Sequence, residues 1–162
     1  MELQKQVCSL ELAKRLKELG VKQESYFCWF QNARSGNWMI GDAYDAIKNG
    51  EYKDTKDGKE EIISYSAFTV AELGKMLPNK LRGEDGVVAY RPYTYLSSEG
   101  WRCEYWSGTF GRPQYRKGGD CYAVTEADAR AKMLIYLHEH HGHLIGKYPD
   151  SFTSEEQEKT NE

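Results

Sequence analysis

The chain has 162 residues, a net charge of -3, 13% aromatic and 29% charged residues. That length suits one domain able to bury roughly 70% of its unfolded surface, so folding needs no metal or disulfide staple. A weakly acidic balance excludes general DNA binding, which draws its affinity from neutralised phosphates, while leaving room for a local basic patch.

The N-terminus, MELQKQ, has no apolar signal region, and no run reaches membrane-spanning length. A helix is predicted from Ser9 to Leu19, ending at Gly20, with Leu12, Leu16 and Leu19 as its buried stripe. Glu24 to Gln31 reads as a strand buried on both faces, and Trp38 to Ile40 as the strand returning after turn residues Asn32 to Asn37. Asp42 to Lys48 forms a short helix closing at Asn49-Gly50. Lys48 to Glu61 is a solvated, charge-dense turn; Asp54, Asp57 and Gly58 lack the spacing and terminal Glu of a calcium loop.

Ile62 to Phe68 alternates weakly and is predicted to be a strand. Thr69-Val70-Ala71-Glu72 has the capping-box pattern and opens a short helix with Leu73, Met76 and Leu77 inward, stopped by Pro78. Asn79 to Gly86 is a polar connection. Val87 to Leu96 and Trp101 to Trp106 form a hairpin around Ser97 to Gly100, with Pro92 marking an edge or a bulge. In its second strand Trp101, Cys103 and Tyr105 share one face, and Arg102, Glu104 and Trp106 the other. A glycine-rich loop, Gly108 to Gly119, leads to a last strand over Asp120 to Val124. The strongest helix follows, Thr125 to His141. Thr125 is its N-cap, and Ala127, Ala131, Leu134 and Leu137 lie on one stripe widened by Met133, Ile135 and Tyr136.

These elements predict an α+β fold: one antiparallel sheet of about five strands, with the N- and C-terminal helices packed on one face. Residues 1–146 form the single domain, and residues 147–162, polar and acidic, form a flexible tail. The four cysteines, Cys8, Cys28, Cys103 and Cys121, form no C-x-x-C pair, which implies a cytoplasmic protein with reduced thiols; Cys28 and Cys103 read as small core residues.

Catalytic signatures are missing. There is no G-x-S-x-G elbow, and the glycine-rich loop matches neither nucleotide fingerprint. All four histidines cluster at His138, His140, His141 and His143. His138 and His141 could project as paired metal ligands, but no matching ligand spacing exists elsewhere, and H-E-x-x-H is broken by Gly142. Capping of the helix C-terminus and a pH-sensitive surface are the other readings. No cofactor is expected. The region from Tyr90 to Lys117 interleaves rings with guanidinium groups, and its acids are only Glu99 and Glu104. Aromatic faces stack on bases and guanidinium forks grip anions, so Arg91, Arg102, Trp106, Arg112, Tyr115, Arg116 and Lys117 are the candidate binding residues. The plainer reading of the same pattern is an outer sheet face whose Arg stems cover rings.

Three segments, SLELAKRLKELGVKQESYF at Ser9 to Phe27, ISYSAFTVAELGKMLP at Ile63 to Pro78 and ADARAKMLIYL at Ala127 to Leu137, together resemble small uncharacterised proteins encoded by bacteriophages and prophages. The likeness touches about a third of the chain and carries no catalytic residues. It implies action in the host cytoplasm, and a non-enzymatic protein that sequesters a nucleotide-derived anionic signalling molecule of antiphage defence. The competing expectations are an inhibitor or adaptor that binds a host protein, and a small enzyme acting on a nucleotide. No membrane partner is expected, and self-association into a homo-oligomer stays open.

Overall fold

A computed structural model describes residues 2–54, 60–79, 81–82, 89–107 and 121–141; the side chains at 81, 82, 89–91, 106, 107 and 141 fall outside that description. Local signals set the first half. Helix α1 (Leu10–Glu18) ends as the sequence predicts. Gly20 takes φ 81°, its amide donates to Lys17, and the Val21 amide donates to Leu16, which satisfies the terminal carbonyls. Strand β1 (Phe27–Gln31) pairs antiparallel with β2 (Trp38–Asp42). The Asn32 side-chain oxygen accepts from the Arg34 and Ser35 amides and holds the turn between them. Asp42 then caps α2 (Ala43–Asn49) by accepting from the Asp45 amide at 2.9 Å.

The charge-dense stretch is more ordered than a plain turn. Strands β3 (Tyr52–Asp54) and β4 (Glu60–Ile62) form an antiparallel pair from exposed or half-exposed residues. Strand β5 (Ser64–Ser66) joins the free side of β1, giving the order β2-β1-β5. Helix α3 (Val70–Met76) carries the complete Thr69/Glu72 capping box. Strands β6 (Leu81–Arg82), β7 (Ala89–Ser97), β8 (Gly100–Ser107) and β9 (Tyr122–Ala123) form a second large sheet in that order. The Thr125 hydroxyl accepts from the Asp128 amide at the start of α4 (Glu126–His141).

The α+β class stands, but the single five-stranded sheet does not. Among the described residues the strands form three antiparallel sheets of three, two and four strands. Pairing is mostly between neighbours in sequence, because closing a short loop costs less entropy than closing a long one. The capped helix α3 separates the two larger sets. Nor do the terminal helices share one sheet face. Helix α1 packs on β5 and on α4, whereas α4 lies on β7, β8 and β9 with α3 beside it. Strand β1 is not buried on both faces either: Phe30 is buried and its neighbours are half-exposed. Its Trp29 side, with Tyr65 of β5, packs against the main core, while Trp38 and Tyr65 are also topped by the Lys14 and Lys17 ammonium groups.

The main core is built around α4. Ala127, Ala129, Ala131, Met133, Leu134 and Leu137 meet Leu16 of α1, Leu73 of α3, Phe68, and Cys103 and Tyr105 of β8. Small residues on α4 let three elements approach it, and burying the larger ones supplies roughly 1.5–3 kcal/mol each. No helix among the described residues is long and apolar enough to cross a membrane. The tail predicted at residues 147–162 lies outside the described residues.

Candidate ligand-binding surface

The β7–β8 ribbon is turned by Ser98 and Glu99. The Ser97 hydroxyl donates to the Gly100 carbonyl at 2.8 Å and accepts from the Glu99 amide. The ladder pairs Pro92 with Tyr105, Tyr93 with Glu104, Thr94 with Cys103 and Tyr95 with Arg102. Strand alternation therefore separates two faces. Trp101, Cys103 and Tyr105 face α4, as their spacing predicts, and Cys103 and Tyr105 are buried. The Tyr105 hydroxyl donates to the Pro78 carbonyl at 2.8 Å, and burial pushes its phenol well above the ordinary range. Among the described residues β6 pairs with Tyr90 and Ala89 of β7, so Pro92 lies past the described ladder, where its missing N–H interrupts none of those pairs.

The opposite face carries Tyr93, Tyr95, Arg102, Glu104 and, from β9, Tyr122. Arg102 is central: its cross-strand partners are Tyr95 on β7 and Tyr122 on β9. The rings of Tyr93 and Tyr95 lie 5.8 Å apart, tilted by 39°. Tyr93 is 56% exposed. The Tyr95 hydroxyl donates to Glu104 at 3.3 Å. The Arg102 guanidinium is already engaged: Nη2 pairs with Glu99, which raises the Arg102 pKa further, while Nε is buried without a hydrogen-bond partner.

Of the predicted binding residues, Arg102 is on this face. The backbones of Arg91 and Trp106 pair with each other in the same alternating set of the ladder, but their side chains lie outside the described residues. So do Arg112, Tyr115, Arg116 and Lys117 entirely. Tyr93 and Tyr95 also belong to the face, and in the sequence their parity with Arg91 is the signal of it. Tyr122 had no such signal, because a two-residue strand has no period.

A cavity of about 480 Å³ lies elsewhere, between α1 and α4. Leu12, Cys121, Ile135 and Tyr136 contribute to its lining together with charged residues of both signs. Arg15 is held there between Glu18 at 3.0 Å and Glu139 at 2.7 Å, and Lys132 donates to the Tyr122 carbonyl. The cavity joins helices more than a hundred residues apart, which no local pattern could announce.

At the end of α4, His140 Nδ1 hydrogen-bonds the Tyr136 carbonyl at 3.0 Å and its ring stacks on Tyr136. Burial lowers the His138 pKa. The His141 side chain and His143 lie outside the described residues. Among the described residues no cluster of His, Cys, Asp or Glu could hold a metal ion.

No protein-family model, curated protein or solved structure matches this chain.

Proposed function

We propose that this protein acts by binding rather than catalysis, and that the outer face of the β7–β8–β9 sheet recognises a nucleotide-derived anion. The observation that carries the reading is the row Tyr95–Arg102–Tyr122 across three strands, with the exposed Tyr93 ring beside it. Rings on a rigid sheet offer a platform for a planar base, and base–aromatic stacking contributes roughly 1–3 kcal/mol per base. Charge must come from further along. Glu99 already pairs with Arg102, so the cations assigned to the ligand are Arg91, Arg112, Arg116 and Lys117, with Arg102, Trp106 and Tyr115 shaping the site. The resemblance to phage and prophage proteins supplies the context: sequestration of a signalling molecule of host defence.

The test mixes the protein with a panel of cyclic dinucleotides and ADP-ribose derivatives, followed by calorimetry and recovery of the small molecule after heat denaturation. Binding with intact recovery is expected, and Tyr93→Ala or the Arg112→Ala/Arg116→Ala pair should each weaken it at least roughly fivefold. Altered ligand would instead make the protein an enzyme. No binding to any panel member would remove both readings.

A protein-binding inhibitor or adaptor is the second reading. It is favoured by Leu96 and Val124, which are 65% and 86% exposed at one end of the same sheet. They add apolar area beside the exposed Tyr93 and Tyr122 rings, and tyrosine is a residue type that protein-binding hot spots favour. A pull-down from host lysate with wild type and Leu96→Asp separates the two: a partner lost with Leu96→Asp supports the adaptor.

A further inference from the structure

We infer that Cys103 and Cys121 form a redox-modifiable thiol pair, closed to a reversible disulfide by a low-molecular-weight disulfide. The register of β8 and β9 pairs Trp101 with Ala123 and Arg102 with Tyr122, so the next opposed positions are Cys103 and Cys121. The Cys103 amide donates to the Cys121 carbonyl at 3.1 Å, which marks a hydrogen-bonded pair. Such pairs hold their Cα atoms about 5.5 Å apart, inside the window of about 4.4–6.8 Å that a disulfide spans; their Cβ atoms, roughly 4.5–5.5 Å apart, must close by about 1 Å to reach the bridged separation, which the two-residue edge strand β9 can supply by shifting on β8. Both side chains belong to the one buried cluster under α4. Cys28 is on the other large sheet; Cys8 shares the cluster but precedes α1, and its amide pairs with the Phe68 carbonyl rather than with β8 or β9.

Access distinguishes the two sulfurs. Cys121 lines the cavity between α1 and α4, while Cys103 is fully buried and accepts from the Thr94 hydroxyl at 3.6 Å. A small disulfide entering the cavity therefore meets Cys121 first. The Cys121 thiolate attacks one sulfur of the reagent; the new S–S bond forms as the reagent's own bond breaks, and one thiolate leaves and takes up the proton that Cys121 lost. Cys103 then loses its proton and attacks the Cys121 sulfur, expelling the second half of the reagent as a thiol. In sum, two protein thiols are oxidised to a disulfide and one small disulfide is reduced to two thiols. A bond placed across a hydrogen-bonded strand pair departs from ideal geometry, which makes it easy to reduce again. Once formed, it ties the residue that leads into β9 to the middle of β8.

The full-length protein is incubated natively with bis(2-hydroxyethyl) disulfide, then measured by intact mass and by a peptide map without reductant. The expected product has lost two hydrogens, carries one bridge joining the Cys103 and Cys121 peptides, and reverts with dithiothreitol. Cys28→Ala should leave that bridge unchanged, and Cys121→Ala should abolish it and spare Cys103. The wild-type map decides the matter even if the Cys121 variant does not fold. A bridge between other cysteines, a mixed disulfide at Cys121 that never resolves, or a native protein that stays unreacted while the denatured chain reacts would each overturn the inference.

Discussion

The backbone amide of Ser9 donates to Oδ1 of Asp128 at 2.7 Å, joining the start of α1 to the first turn of α4 across 119 residues. Ser9 sits at the N-cap with an extended backbone, yet its side chain makes no cap hydrogen bond. The carboxylate that a capping box would place three residues on is supplied here by another helix. Asp128 also lies in the first turn of α4, so one negative charge serves the positive ends of both helices. Replacing Asp128 with Ala should cost about 1–2 kcal/mol, the range for a lost cap or a stranded amide. Asp128→Asn keeps an acceptor and should cost less. Urea unfolding of the two variants checks the order; equal losses would mean that charge rather than the hydrogen bond matters.

Glu72 does similar work for α3 and reaches further. Its carboxylate accepts from the Thr69 amide at 2.7 Å, the Thr69 hydroxyl at 2.8 Å, the Ser25 hydroxyl at 3.0 Å and the Tyr26 amide at 3.2 Å. Burial pushes its pKa up, but the bonds from Thr69, Tyr26 and Ser25 together outweigh burial and hold it below the usual carboxylate range. A carboxyl depressed in the folded state stabilises fully above its unfolded pKa of about 4.3 and loses that contribution as pH falls through the folded value. The stability gap between wild type and Glu72→Gln should therefore be constant near neutrality and shrink in acid. Urea midpoints measured from about pH 7 down to about pH 3 would show it, and a gap that persists through acid would assign the effect to packing.

Gly74 is an odd residue for the middle of α3, since glycine costs about 1 kcal/mol there relative to alanine. Its neighbour explains it. A Cβ at Gly74 would lie 2.5 Å from Nη1 of Arg130, whose Nε and Nη2 both donate to Glu126 Oε1. The guanidinium is the far end of a flexible side chain and can move, at the expense of that ion pair. Gly74→Ala alone should be neutral within about 0.5 kcal/mol, because helix propensity offsets the displaced pair. In an Arg130→Ala background the same change should stabilise by about 0.5–1 kcal/mol. The double-mutant cycle reads the coupling directly, and a cycle that closes to zero would mean that Arg130 is no obstacle.

The sequence made these local devices readable. Thr69 and Glu72, Gly20 and Thr125 each act within four residues, where spacing and geometry are the same thing. The two faces of β8 were also readable, because alternation fixes which side chains point together. Alternation does not say which strand lies alongside, and that is where the single five-stranded sheet failed. Strands β3 and β4 escaped because their residues are mostly charged and exposed, a composition that β-propensity disfavours. The candidate face was half legible for the same reasons: Arg102 could be placed outward from its own strand, whereas the row it forms with Tyr95 and Tyr122 needed the register of three.

That row depends on Gly100. Its φ of 125° is closed to ordinary side chains, and a Cβ there would fall 2.7 Å from the Ala123 carbonyl and 2.8 Å from the Tyr122 ring. The ring could swing aside, but the carbonyl belongs to β9 and moves only if the strand does. Gly36 makes a useful contrast: its φ is 70°, and nothing lies within 4 Å of its would-be Cβ. Gly36→Ala should cost about 1–2 kcal/mol from the backbone alone. Gly100→Ala should add a clash to a backbone term that is itself larger than at Gly36, and exceed Gly36→Ala by about 1 kcal/mol or more. The added loss should fall on β9, so hydrogen exchange at the Cys103 amide, which donates to Cys121, should quicken in Gly100→Ala more than global unfolding predicts. If both glycine variants lose the same stability and Cys103 exchange simply follows global unfolding, the close packing of β9 on the turn is not what selects glycine at position 100.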